Sequence, residues 1–200
     1  CHNGQMTGTF GDIGCFSFYP SKNLGAFGDA GAMVMHSEEL ARKARVFRNY
    51  GSEKRYYNEV VGTNSRLDEL QAGLLRVRLR HLQELQEERR RICERYLSEI
   101  HNQQLVLPKV NKCCTTVWHQ FVIRCQKRDD LMKYLSENQI GSIIHYPIPP
   151  HLSEAYRYLG YREGSYPITE QYAHEVLSLP LYNGMTDEEV EYVLEAIDRF

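Results

Sequence analysis

Between Ser17 and Gly31 the chain reads Ser-Phe-Tyr-Pro-Ser-Lys-Asn-Leu-Gly-Ala-Phe-Gly-Asp-Ala-Gly, a single lysine set between a proline turn and a glycine-rich loop. An amine fixed in such a place can be drawn out of water, which lowers its pKa and frees it as a nucleophile. The small residues around it would let a flat cofactor and its phosphate approach the backbone closely. By spacing alone a surface turn lysine remains the commoner reading of Lys22. The six cysteines include no C-x-x-C pair, and the eight histidines show no H-x-x-x-H or H-E-x-x-H spacing. No metal site is therefore expected. Adjacent Cys113 and Cys114 are poor disulfide partners; the scattered thiols read as packing residues and suit a reducing compartment.

The elements around Lys22 are those of an α/β protein. Residues 13–19 mix apolar and aromatic side chains and stop at Pro20, as a short buried strand would. A second apolar run covers 32–35. Ser37, followed by Glu38 and Glu39, is an N-cap signal for a helix reaching about Tyr50 and closed by Gly51. After a polar, turn-rich stretch, leucines at helical spacing from Leu67 to Leu85, then Ile92, Tyr96 and Leu97, predict one long helix to about residue 99. The arginines at 89–91 read as its solvated face. Pattern lapses at 101–115, the expected boundary between a domain at 1–100 and a smaller α/β domain at 101–200. Beyond it, strands are expected at 117–124 and 141–146, and helices at 128–138, 153–159 and 167–177. A last helix opens at Thr186 with a capping box to Glu189. Trp118 and Phe121 read as core.

Bulk properties fit a globular protein: 42% apolar and 25% charged residues, with a formal charge of −2. That balance argues against a nucleic-acid footprint, and no apolar run approaches the ~18 residues of a membrane span. The first residue is Cys1, so a piece of a longer chain is expected, and the lack of a visible signal peptide weighs little.

Five stretches together resemble the DegT/DnrJ-type sugar aminotransferases. They are the lysine run Ser17–Gly31 with Ala32, then Arg48-Asn-Tyr-Gly51, then Gly62-Thr-Asn-Ser-Arg-Leu-Asp-Glu-Leu-Gln-Ala72, then Trp118-His-Gln-Phe121, and His145-Tyr-Pro-Ile-Pro-Pro-His-Leu152. The resemblance runs in order over nearly the whole chain. It implies an aspartate-aminotransferase-like fold (fold type I), with residues 1–100 a remnant of the large domain and 101–200 a small C-terminal α/β domain. It implies pyridoxal 5'-phosphate (PLP) as cofactor and Lys22 as the Schiff-base lysine. Ser17 would meet the cofactor phosphate, and Asn64 would reach the phosphate of a neighbouring subunit. Arg66 would face an amino-acid carboxylate. Tyr19, where many members have histidine, and His145 and Tyr146 would lie near the sugar.

The reaction so implied transfers an amino group from an amino acid, glutamate being the expected donor, to a nucleotide-linked keto sugar. The segment His145 to Leu152 looks most like members acting on 3-keto hexoses. Deoxysugar or cell-surface polysaccharide biosynthesis, a cytoplasmic location and a homodimer with shared active sites follow by the same resemblance. The aspartate that pairs with the PLP ring nitrogen in the family would precede Cys1, so this piece alone is expected to be inactive. Related PLP-dependent sugar dehydratases carry histidine where Lys22 stands. The rival reading is a non-catalytic piece that only dimerises or packs through the apolar helix at 67–85.

Overall fold

A computed structural model describes all 200 residues. They form two compact units: Cys1–Gln86 with Val110–Thr116, and Glu87–Lys109 with Val117–Phe200. The chain is thus divided differently from the expected boundary near residue 100, because the second half of the long helical stretch packs into the core of the second unit.

In the first unit, strands β1 (Gly14–Ser17) and β2 (Gly31–Val34) form an antiparallel pair in which Ser17 faces Gly31. Helix α1 (Glu38–Phe47) starts where the Ser37 side chain accepts the Leu40 N–H, with Glu38 and Glu39 against the positive end of the helix dipole. It stops three residues short of the expected end. The N–H groups of Asn49 and Gly51 both turn back to the Val46 carbonyl. Gly51 takes φ +72°, and a Cβ there would lie 1.7 Å from the Val60 carbonyl oxygen, so only glycine fits this close.

The expected single helix from 67 to 99 is two: α2 (Glu69–Arg80) and α3 (Leu82–Glu99). His81, at φ −102° and ψ 5°, sits between them. Its N–H bonds only three residues back, to Arg78, while its carbonyl takes the Leu85 N–H and restarts the ladder. Its Nδ1 lies 3.0 Å from the Glu84 carboxylate in the first turn of α3.

The second unit is built on a three-stranded antiparallel sheet of β3 (Leu105–Val106), β4 (Phe121–Cys125) and β5 (Val176–Leu179), in that order. Along β4, Phe121, Ile123 and Cys125 alternate inward. Helix α4 (Arg128–Glu137) adds Leu131 and Leu135, and α3 adds Ile92, Cys93 and Tyr96. Helix α5 (Pro167–Glu175) leads directly into β5. Helix α6 (Asp187–Arg199) closes the core with Val190, Val193, Leu194 and Ile197. Each such apolar side chain, fully buried, contributes about 1.5–3 kcal/mol before entropy is charged. The capping box at Thr186 is present in both directions.

Two expectations are corrected here. The strand expected at 141–146 is a single bridge, Ile143 to Ser178. The helix expected over 167–177 ends at Glu175, and its tail belongs to β5. The helix expected over 153–159 is present as a 3-10 helix, Glu154–Leu159, ended by Gly160.

The arginine run also departs from a uniformly solvated face. Arg89 is 7% exposed. It donates to the carbonyls of Trp118 (2.9 Å), His119 (2.6 Å) and Leu181 (3.2 Å). A helix turns about 100° per residue, so three consecutive arginines cannot share one environment. Arg90 pairs with Glu87, and Arg91 with Asp187 at 2.6 Å.

Candidate active site

Lys22 is placed by a turn that follows β1. Its N–H donates to the Tyr19 carbonyl at 2.8 Å, and the Phe18 N–H continues the strand pairing to Ala30. The Ala26 N–H returns to the Phe18 carbonyl, so residues 18–26 form a closed loop stitched at its base. A Cβ on Gly25 would lie 2.2 Å from the Pro20 carbonyl oxygen, so the loop closes this tightly only with glycine at that position. The lysine side chain is half-buried. Its fixed backbone limits the directions the amine can take, which is what a positioned nucleophile needs.

Two other expected residues share this segment. Ser17 ends β1, and its Oγ accepts the Tyr19 N–H at 3.3 Å. That leaves the exposed hydroxyl hydrogen to be donated elsewhere. The Tyr19 side chain is exposed.

Asn64 and Arg66 lie on a second backbone ladder in the same unit. The Tyr50 N–H donates to Thr63, the Thr63 N–H to Phe47 and the Ser65 N–H to Arg48, so residues 47–51 hold 62–65 in register. Asn64 is exposed and bridges Asn49 through the backbone. The cap of α2 is Asp68, so Asn64 is not the cap of that helix. Arg66 donates to the Asn49 side-chain oxygen at 3.3 Å, and its guanidinium stands 5.2 Å from the Tyr50 ring centroid. An ion pair to Asp68 or Glu69 is not what holds it.

Two positioning residues were not singled out by sequence. Gln71 on α2 accepts the Phe27 N–H at 2.9 Å, tying the glycine loop to that helix. Asn49 orients Arg66. Both fall inside the quoted motifs, but a glutamine and an asparagine carry no spacing signal of their own.

In the second unit, His145 Nδ1 lies 2.8 Å from Ser178 Oγ on β5. Tyr146 is 70% exposed, and its ring meets that of His145 edge-on at 5.4 Å. The serine fixes the imidazole while the tyrosine stays available. Trp118 and Phe121 are buried in the core, with ring centroids 5.6 Å apart. A surface cleft of about 430 Å³ in the first unit is lined by Thr9, Phe10, Asp12, His36 and Leu40, and by none of the candidate residues.

A half-buried amine on the 19–22 turn and an exposed hydroxyl at the end of β1 lie on one segment beside the glycine loop, groups of the kinds that an aldehyde-bearing anionic cofactor would require. No helix is long and apolar enough to cross a membrane.

The dTDP-3-amino-3,6-dideoxy-alpha-D-galactopyranose transaminase of Aneurinibacillus thermoaerophilus is 47% identical over 199 residues, which are 100% of this chain and 54% of that protein. The structure of S. venezuelae DesV in complex with a ketimine intermediate superposes with TM-score 0.94 at 42% identity, over 99% of this chain and 54% of that one. NtdA from Bacillus subtilis, with bound cofactor PMP, superposes with TM-score 0.87 at 30% identity, over 96% of this chain and 46% of that one. The chain thus spans about half the length of the relatives it matches. Its fold is that of the fold type I PLP enzymes. Residues 1–198 match the DegT/DnrJ/EryC1/StrS aminotransferase family, and the chain belongs to it.

Proposed function

We propose that the protein containing this chain is a PLP-dependent aminotransferase that moves an amino group from an amino acid, glutamate by preference, to a nucleotide-linked keto sugar. The observation that carries this reading is Lys22: a half-buried amine on the 19–22 turn, at the end of β1 and beside the Gly25 loop. PLP held there supplies the electron sink that makes the carbon bearing the amino group acidic.

The residues of this chain do the rest. Lys22 holds the cofactor and then carries a proton at its Nζ to and from the substrate carbon, a general acid–base role that needs a fixed amine. Ser17 Oγ–H donates to the phosphate. Asn64, on the 62–65 ladder, reaches the phosphate of a second subunit in a homodimer with shared sites. Leu70 and Val77 on α2 are exposed apolar residues suited to such an interface. Arg66 offers a planar fork to the donor carboxylate. By the resemblance, roles toward the sugar are assigned to Tyr19 and, separately, to His145 and Tyr146.

A 3-keto hexose is the preferred sugar substrate, because the A. thermoaerophilus relative is named for a 3-amino sugar. Deoxysugar or cell-surface polysaccharide biosynthesis in the cytoplasm is the corresponding setting. Borohydride reduction of the complete protein with PLP bound should fix the cofactor covalently on the peptide carrying Lys22, and Lys22→Ala should abolish the adduct. An adduct that survives Lys22→Ala would overturn the reading.

A further inference from the structure

Three side chains outside this site come together although the sequence spaced them as unrelated thiols and a lone histidine. His2 Nδ1 lies 3.4 Å from Cys114 Sγ and 3.5 Å from Cys113 Sγ, and the two sulfurs are 3.8 Å apart. A tetrahedral cation with bonds of ~2.3 Å to sulfur and ~2.0–2.1 Å to nitrogen holds two sulfurs about 3.8 Å apart and sulfur and nitrogen about 3.5 Å apart. The three edges already have these lengths. They are also too long for a covalent link between the cysteines, which needs ~2.0 Å.

The backbone sets the triangle up in advance. His2 bridges Cys114, the Asn3 N–H donates to the Cys113 carbonyl at 2.8 Å, and the Thr115 N–H to the Cys1 carbonyl at 3.0 Å. Asn111 shapes the turn from the other side, its side-chain oxygen accepting the Cys113 N–H at 3.2 Å. The far nitrogen of the ring, His2 Nε2, has Asn3 Nδ2 3.2 Å away. A flip of that amide, which exchanges its nitrogen and oxygen, lets the oxygen accept Nε2–H and leaves the Nδ1 lone pair facing the thiols. All of these residues lie in one compact unit.

We infer that His2, Cys113 and Cys114 bind one soft divalent d10 cation, of the Zn2+ class, in a three-ligand site. Binding releases two thiol protons, and two thiolates balance the dication, so the complex adds no net charge. The fourth position faces solvent beside exposed His2 and takes water. The cation clips the returning segment 110–116 to the first residues of the unit. Ligands this far apart in sequence gain more from closure than a local pair does.

The test uses the complete, PLP-loaded protein, reduced and stripped of metal. Zn2+ is titrated against a chromophoric chelator, and Cd2+ is followed by its thiolate-to-metal charge-transfer band. One equivalent should bind. The band should vanish in Cys113→Ser and in Cys114→Ser, the affinity should fall about tenfold or more in His2→Ala, and Cys15→Ser should change nothing. In the unsubstituted protein, Zn2+ should also shield Cys113 and Cys114 from alkylation, read peptide by peptide. Failure to bind one equivalent, a band that survives the serine variants, or alkylation unaffected by Zn2+ would each overturn the site.

Discussion

Arg89 Nη2 donates to the His119 carbonyl at 2.6 Å, and the same guanidinium holds the Trp118 and Leu181 carbonyls. One side chain on α3 thus satisfies buried backbone oxygens just before β4 and just after β5. Burial pulls its pKa down from the usual arginine value, but an arginine remains charged. Arg89→Ala leaves the buried Trp118 carbonyl and the half-buried His119 and Leu181 carbonyls without this donor and should cost about 3 kcal/mol. Arg89→Lys cannot restore the fork and should recover only part. Thermal unfolding of the two variants beside the parent checks both; an Arg89→Ala melt within experimental error of the parent would remove the anchor.

The lysine turn makes a different kind of prediction, because its geometry rests on a missing side chain. A methyl group at position 25 would stand 2.2 Å from the Pro20 carbonyl oxygen and 2.8 Å from its carbon. Gly25→Ala must therefore push the 18–26 loop open, at about 1–3 kcal/mol, and shift Lys22 with it. Cofactor absorbance of the complete protein should be lost or weakened while the far-ultraviolet circular dichroism is retained. Gly73→Ala, where an added Cβ meets nothing within 4 Å, should leave both unchanged.

Much of this was legible in the sequence, and the parts that were not share a physical reason. The Ser37 and Thr186 caps, the β1 and β2 runs and the glycine loop all carry local signals, since caps and turns are chosen by short-range hydrogen bonds. Ser17, Tyr19 and Lys22 lie within one such segment and are read together as candidates. The break at His81 has no proline or glycine to mark it, and the leucine spacing runs straight through it. β5 hides because Val176–Leu179 is buried throughout and so lacks the alternation of a half-exposed strand. Arg89 looks like its neighbours until the carbonyls of Trp118, His119 and Leu181 are in place. The His2, Cys113 and Cys114 triangle depends on a contact between residues far apart in the chain, which no local spacing encodes.

Acid should act on one cluster in the second unit. The Glu170 carboxylate accepts N–H groups from Gly164 (2.7 Å) and Tyr166 (3.0 Å) and lies 2.9 Å from His151 Nε2. Those backbone N–H bonds first, and the His151 contact next, hold its pKa below the ordinary carboxylate value. A group lowered in the folded state adds stability above its unfolded pKa of ~4.3. That stability is lost as the pH falls from there toward the folded value. Glu170→Gln should flatten the acid side of a melting-temperature profile while leaving its neutral side parallel to the parent. An acid limb of unchanged steepness would show that these bonds do not favour the ionised form.

Thiol chemistry separates the cysteines by environment. Cys93 is 0% exposed on α3, and burial pushes its thiol up to about 12, with Arg89 opposing the shift. Cys125, inward on β4, is raised by burial as well. Alkylation follows the thiolate fraction and access together, so near pH 8 both should stay unmodified in the native protein and react only as the second unit unfolds. Cys15, exposed on β1, should be modified at once. The delay at Cys93 then measures the opening of that unit, and it should shorten in Arg89→Ala because the same helix loses its anchor four residues away. Labelling of Cys93 as fast as Cys15 in the parent would contradict the burial on which the core assignment stands.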